Sequence, residues 1–133
     1  MDRWFAAEPE VIRPLIEDAQ RFMEAGQFDE VTYDGRTLTL ANVIGFARIE
    51  LTLNVIDDAD AALAYEQDAG LFEEMQTRYT VHPEDGGTRV RATTEFRLGG
   101  VAGTVLDSTI IKRQRRREIH TQFEYLQEEI ADH

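Results

Sequence analysis

The sequence has no cysteine, and of its 14 basic residues a single one, Lys112, is lysine. Without thiols there is no disulfide framework, no thiolate zinc site and no cysteine nucleophile. No apolar run approaches the roughly 18 residues of a membrane-spanning helix. No charged-then-apolar leader opens the chain, so a cytoplasmic protein is expected. No two histidines show metal-ligand spacing with a carboxylate. No glycine-rich stretch matches a nucleotide fingerprint. Neither a metal nor any other cofactor is expected.

What the chain has in excess is acid. Asp and Glu number 26, and the formal net charge is −12. Acidic excess with arginine as nearly the sole base reads as a protein adapted to strong salt. There the Debye length falls to about 3 Å, and self-repulsion costs little. The balance also argues against general nucleic-acid binding, which needs a basic surface.

The 133 residues, 42% of them hydrophobic, suit one domain with one core, spanning 1–133. Asp2 to Ala6 reads as a short opening strand. Pro9 suits a helix start. Ile12, Leu15, Ile16, Ala19, Phe22 and Met23 then recur at helical spacing up to Gly26. Pro14 lies inside this pattern and is expected to break it, with the main helix starting near Pro14. From Phe28 to Leu98 the period becomes two. Strands are expected at about 28–34, 36–44, 46–56, 61–68, 71–82 and 88–98. Asp34-Gly35 marks a hairpin, Ala69-Gly70 another turn, and Pro83 to Gly87 the last.

The final stretch, Val101 to Ile130, reads as one long helix. Val101, Val105, Thr109, Ile119, Phe123, Leu126 and Ile130 share a face, with Lys112 and Arg116 in its middle. A helix of 30 residues is about 45 Å long, enough to cross a meandering antiparallel sheet. The expected fold class is α+β: a curved antiparallel sheet wrapped around a long C-terminal helix.

Asp85-Gly86-Gly87-Thr88-Arg89-Val90, Glu95-Phe96, the Gly99-Gly100 break and the Arg115-Arg116-Arg117-Glu118 run stand in a strand–helix–six-strand–helix order. In these features the chain resembles the START-like, helix-grip superfamily of polyketide cyclase/dehydrase-like proteins and lipid-transfer domains. The resemblance implies a cavity between sheet and terminal helix for an apolar small molecule, with no metal or nucleotide. Members include carriers and enzymes, so the fold does not select the function.

Alternation places Tyr33, Leu40, Asn42, Leu51, Tyr65 and Met75 on the inward face of the strands, with Thr77, Tyr79, Thr94 and Phe96. The helix adds Thr109, Lys112, Arg116, His120 and Phe123. This mixture of apolar walls and a few polar groups suits a ligand site, and a carrier needs a cavity above about 300 Å³. Lys112 and Arg116 are candidates for clamping an anionic or carbonyl end; the alternative is that they snorkel to water.

Three functions remain open. The first is a carrier or sensor of a hydrophobic small molecule. The second is a cyclase, dehydrase or isomerase in which Tyr79 or His120 moves a proton and Arg116 stabilises negative charge. There a carboxylate such as Glu73 would orient His120. The third is an interaction protein using the basic run 112–117, although successive helix positions scatter those charges around the helix. No integral membrane association is expected.

Overall fold

Alternating burial organises the middle of the chain into strands that share one apolar face. The computed structural model describes residues 1–44, 46–98 and 108–132. After β1 (Asp2–Phe5) come two short helices, α1 (Pro9–Glu17) and α2 (Ala19–Glu24). Six strands follow: β2 (Glu30–Tyr33), β3 (Thr37–Ile44), β4 (Ala47–Val55), β5 (Leu63–Ala69), β6 (Phe72–Glu84) and β7 (Gly87–Leu98). The terminal helix is α3 (Ser108–Ala131). Val101, Val105 and the Gly99-Gly100 and Gly103 positions expected to lead into it lie outside the described residues, as does His133.

The sheet is antiparallel throughout, in the order β1-β7-β6-β5-β4-β3-β2. It is a meander from β2 to β7, with the opening strand added beside the last. Register shifts interrupt the β4–β5 pairing at Thr52/Leu53 and the β6–β7 pairing at Phe72/Glu74. Such bulges bend and twist a strand, and both lie at the end of the sheet where Leu51 and Phe72 face a cavity.

Two turns follow directly from residue type. Asp34 accepts hydrogen bonds from the Arg36 and Thr37 amides at 3.0 and 2.8 Å, and Gly35 takes φ +98°. These contacts hold the Asp34 carboxyl below the usual carboxylate range: the Thr37 amide contributes most, then Arg36. At the other hairpin the strands run further than expected. Glu84 pairs with Gly87, so only Asp85 and Gly86 turn, both at positive φ. Pro83 belongs to β6.

Pro14 does not break its helix. It sits inside α1, flanked by fully buried Ile12 and Ile16, whose packing outweighs one missing backbone bond. The break comes at Asp18. Its amide bonds the Pro14 carbonyl, and its side chain caps α2 by accepting from the Arg21 amide at 3.5 Å.

The core lies between the sheet and the helices. Phe5, Ile12, Ile16, Phe22, Met23, Leu38, Leu53, Tyr79, Val90, Phe123 and Leu126 are all fully buried. Phe123 meets Phe5 edge-to-face at 5.9 Å, and Phe22 meets Tyr79 edge-to-face at 4.9 Å. The first contact fixes α3, and the second α2, over one end of the sheet. Toward its N-terminal half α3 faces polar groups.

Candidate functional site

On α3 the buried residues are Ile111, Glu118, Ile119, Gln122, Phe123 and Leu126, spaced at three, four and seven. Arg115 joins them: its side chain is 15% exposed and that of Glu118 10%. An arginine and a glutamate thus point from one helix face into the molecule.

Arg115 is held from four directions. Nη2 donates to the Tyr79 hydroxyl at 2.6 Å and to the Tyr65 hydroxyl at 3.2 Å. Nε donates to Thr94 Oγ1 at 3.0 Å, and Nη1 to Glu118 Oε1 at 3.1 Å. Tyr79 passes its own proton to Gln122 Oε1 at 2.7 Å. Gln122 turns its amide nitrogen to the Phe22 carbonyl at 3.4 Å. Thr94 and Thr77 are 3.0 Å apart, and Thr77 Oγ1 reaches Met75 Sδ at 3.7 Å. With Thr94 accepting from Arg115, its proton goes to Thr77, and that of Thr77 to the sulfur. The other Glu118 oxygen, Oε2, accepts from Asn42 and Gln114, each at 3.4 Å. Among the described residues no buried side-chain polar atom lacks a partner.

Burial raises the Tyr65 phenol far above its usual range, against the opposing pull of Arg115, so it stays protonated. Burial also raises the Glu118 carboxyl; Arg115 beside it opposes that shift without cancelling it. For Arg115 burial alone acts downward, but Tyr65, Tyr79 and Glu118 around it more than compensate, and it remains a cation.

Beside this network is a cavity of about 70 Å³. Its walls are apolar: Phe28, Leu40, Ile49, Leu51, Leu71, Phe72, Met75, Phe96 and Ile111. Its polar lining is Asn42, Tyr65, Thr94, Gln114, Arg115 and Glu118. Gly70 seats the β5–β6 turn at its end, because a Cβ there would collide with the Leu51 side chain and Gln67 Oε1. Gln67 clamps the same turn by bonding both the amide and the carbonyl of Phe72, at 3.0 and 2.6 Å. The cavity is smaller than the roughly 300 Å³ expected for a carrier and has room for about five water molecules. Large side chains, Met75 and Phe72 among them, occupy the rest. Larger hollows, one of about 590 Å³, are surface clefts edged by groups such as Arg13, Arg78 and Arg91. Their linings mix apolar residues such as Val55 and Leu63 with charged ones such as Glu17 and Asp57, and they lie outside the space between sheet and α3.

The expected site residues divide into three groups. Leu40, Asn42, Leu51, Tyr65, Met75, Thr94 and Phe96 line the cavity. Thr77 and Tyr79 are fully buried behind it, linked through hydrogen bonds, and Phe123 is fully buried against Phe5. The remainder do not reach it. Tyr33 borders an outer cleft with Val55 and Asp58. Thr109, Lys112, Arg116 and His120 are exposed. His120 meets Arg3 at 3.3 Å and Glu124 at 3.9 Å on the outside, so Glu73 does not orient it.

The reason is helical phase. A stripe carried through Thr109 leads to Arg116, whereas the buried face runs through Ile111 and Arg115, about 100° round the helix. The signal for the true face was present: Ile111, Arg115, Glu118, Ile119, Gln122 and Leu126 keep three-and-four spacing. It was hidden because three of the six are polar. Arg115 also leaves the basic run, whose other members, Lys112, Arg113, Arg116 and Arg117, lie outside the buried set of α3.

The curved antiparallel sheet closed by one long terminal helix matches solved structures along nearly the whole chain. A START superfamily protein from Mycobacterium smegmatis superposes with TM-score 0.73 at 12% identity, covering 99% of this chain and 95% of that one. The fold is the START-like helix-grip fold. The Zhui aromatase/cyclase from Streptomyces sp. R1128 also gives TM-score 0.73 at 12% identity, over 98% and 93% of the two chains. A protein from Thermus thermophilus gives 0.71 at 18% identity, over 99% and 95%. No family model matches the chain, and no curated protein matches it. At these identities the likeness shows the helix-grip fold alone. Among the described residues no helix is long and apolar enough to cross a membrane.

Proposed function

We propose that residues 1–133 act as one START-like domain that binds an apolar small molecule between the sheet and α3. One observation carries this reading: an apolar cavity bordered by a buried, hydrogen-bonded Arg115–Glu118 pair. Burying two charges costs several kcal/mol per ion before their attraction is counted, and a hydrophobic replacement is often no less stable. A polar pair at the edge of an apolar hollow has a use if it orients a guest. The cavity's modest size means that the guest displaces side chains. Met75 is the wall residue best suited to move, since its unbranched chain repacks readily.

The test is to fill the hollow. An apolar fluorescent probe titrated in molar salt is expected to bind the wild type, and Met75→Trp to weaken it at least tenfold while the far-ultraviolet spectrum is unchanged. Equal binding by both proteins would remove the cavity as the site. Mass spectrometry of material co-purified from the native host then identifies the guest.

A specific observation favours a second reading, an enzyme of the cyclase or isomerase kind. Glu118 is a carboxylate of raised pKa lining an apolar cavity, with Arg115 and the protonated Tyr65 beside it. That set has the parts for removing a proton next to a carbonyl and stabilising the resulting negative charge. Tyr79 does not serve as the shuttle here, since its proton is committed to Gln122. The Streptomyces neighbour is named as an aromatase/cyclase. Turnover of a small β-dicarbonyl substrate, lost in Glu118→Gln with the ligand still bound, would establish this reading over simple binding.

A further inference from the structure

The charge balance of the cavity narrows the class of ligand, and this inference rests on the binding reading above. Among the described residues lining the cavity, Arg115 is the one cation and Glu118 the one anion. An arginine side chain has five N–H donors. Four are committed: one on Nε to Thr94, two on Nη2 to Tyr65 and Tyr79, and one on Nη1 to Glu118. One donor on Nη1 is left. The positive charge is matched at 3.1 Å by a carboxylate that is itself buried.

A ligand carboxylate oxygen on the remaining donor would share Nη1 with Glu118 Oε1, which lies 3.1 Å from that nitrogen, and would sit about 5 Å from the Glu118 oxygen. Repulsion at about 5 Å then offsets more than half of the attraction at about 3 Å, and the little that is left must meet the desolvation cost of a third buried charge. An uncharged carbonyl or hydroxyl oxygen loses far less water and gains the same N–H. The other polar walls suit it, because the amides of Asn42 and Gln114 and the hydroxyls of Tyr65 and Thr94 are all neutral. We infer that the cavity selects ligands whose polar end is an uncharged carbonyl or hydroxyl, and that Glu118 is the residue that excludes anions.

The experiment uses two probes of nearly one shape, 4-methylacetophenone and 4-methylbenzoate. Each is titrated into the full chain at pH 7.5 in 1 M potassium chloride and followed by nuclear magnetic resonance shifts. The wild type is expected to bind the ketone at least tenfold more tightly than the carboxylate. In Glu118→Gln the preference is expected to fall below threefold or to reverse, since Arg115 then presents an unmatched charge. Equal or tighter carboxylate binding by the wild type overturns the inference, and that comparison stands even if Glu118→Gln fails to fold. A folded Glu118→Gln that keeps the wild-type preference also overturns Glu118 as the discriminating group. Ketone binding without discrimination defeats this inference alone; binding of neither probe defeats the binding reading together with it.

Discussion

Arg115 bonds four side chains directly, in a network that leaves no buried side-chain polar atom without a partner among the described residues. Tyr79 and Gln122 sit on its core side, Thr94 and Tyr65 on the sheet, and Glu118 one helical turn away. Removing the cation would strand Glu118 and three hydroxyl acceptors at once. Arg115→Met is therefore expected to cost about 3–5 kcal/mol, the usual cost of breaking a buried pair from one side. The measurement is the urea midpoint at neutral pH. A loss below about 1 kcal/mol, the scale of an exposed pair, would show that water already shares this site. By contrast the exposed pairs on the outside, such as Arg48 with Glu30 and Glu50, are expected to contribute little.

At the scale of elements, the edge strand β1 is the joint that closes the fold. Its four residues pair with β7, Asp2 opposite Arg91 through Phe5 opposite Thr88. Trp4 donates from its indole to the Glu84 carbonyl at 2.8 Å, and Thr88 Oγ1 donates to the Ala7 carbonyl at 2.7 Å. Gly87 makes this approach possible. A Cβ at that position would collide with the Phe5 carbonyl oxygen and lie 2.6 Å from the Trp4 ring. Gly87→Ala should therefore push β1 off its neighbour and cost about 1–3 kcal/mol, as overpacking does. Trp4 is the single tryptophan, so its emission reports the joint directly: a red shift with the rest of the fold intact is the expected result. An unchanged spectrum and midpoint would mean that the strand absorbs the extra carbon. The terminal helix shows how little phase error it takes to misplace a site. Its apolar contacts, Ile119, Phe123 and Leu126, belong to the stripe read from sequence, yet Arg115 rather than Arg116 enters beside them. A 3.6-residue repeat separates neighbouring residues by about 100°, so a stripe read one residue out exchanges the inner and outer cation.

For the whole molecule the dominant quantity is the charge of −12. At low ionic strength this surface repels itself, and salt shortens the reach of that repulsion from about 10 Å at 0.1 M to about 3 Å at 1 M. The thermal midpoint is expected to rise by several degrees between 0.05 and 1 M potassium chloride; a flat or falling curve would count against the acidic surface as an adaptation to salt. The order of elements, the antiparallel meander and its hairpins were legible in the chain because they depend on local rules. Alternation at period two sets each strand, and Asp34-Gly35 sets one of its turns; the last turn lies within the expected Pro83 to Gly87 stretch, narrowed by strand pairing to Asp85-Gly86. The inward strand residues Leu40, Leu51, Tyr65, Met75, Thr94 and Phe96 were legible for the same reason. What tertiary structure alone decided was which helix face meets them, how far Phe72 and Met75 fill the hollow, and that Arg115 is neutralised by Glu118. Those outcomes turn on distances between elements far apart in the chain, and on the rule that a charge enters an apolar interior only where partners from several elements converge to receive it.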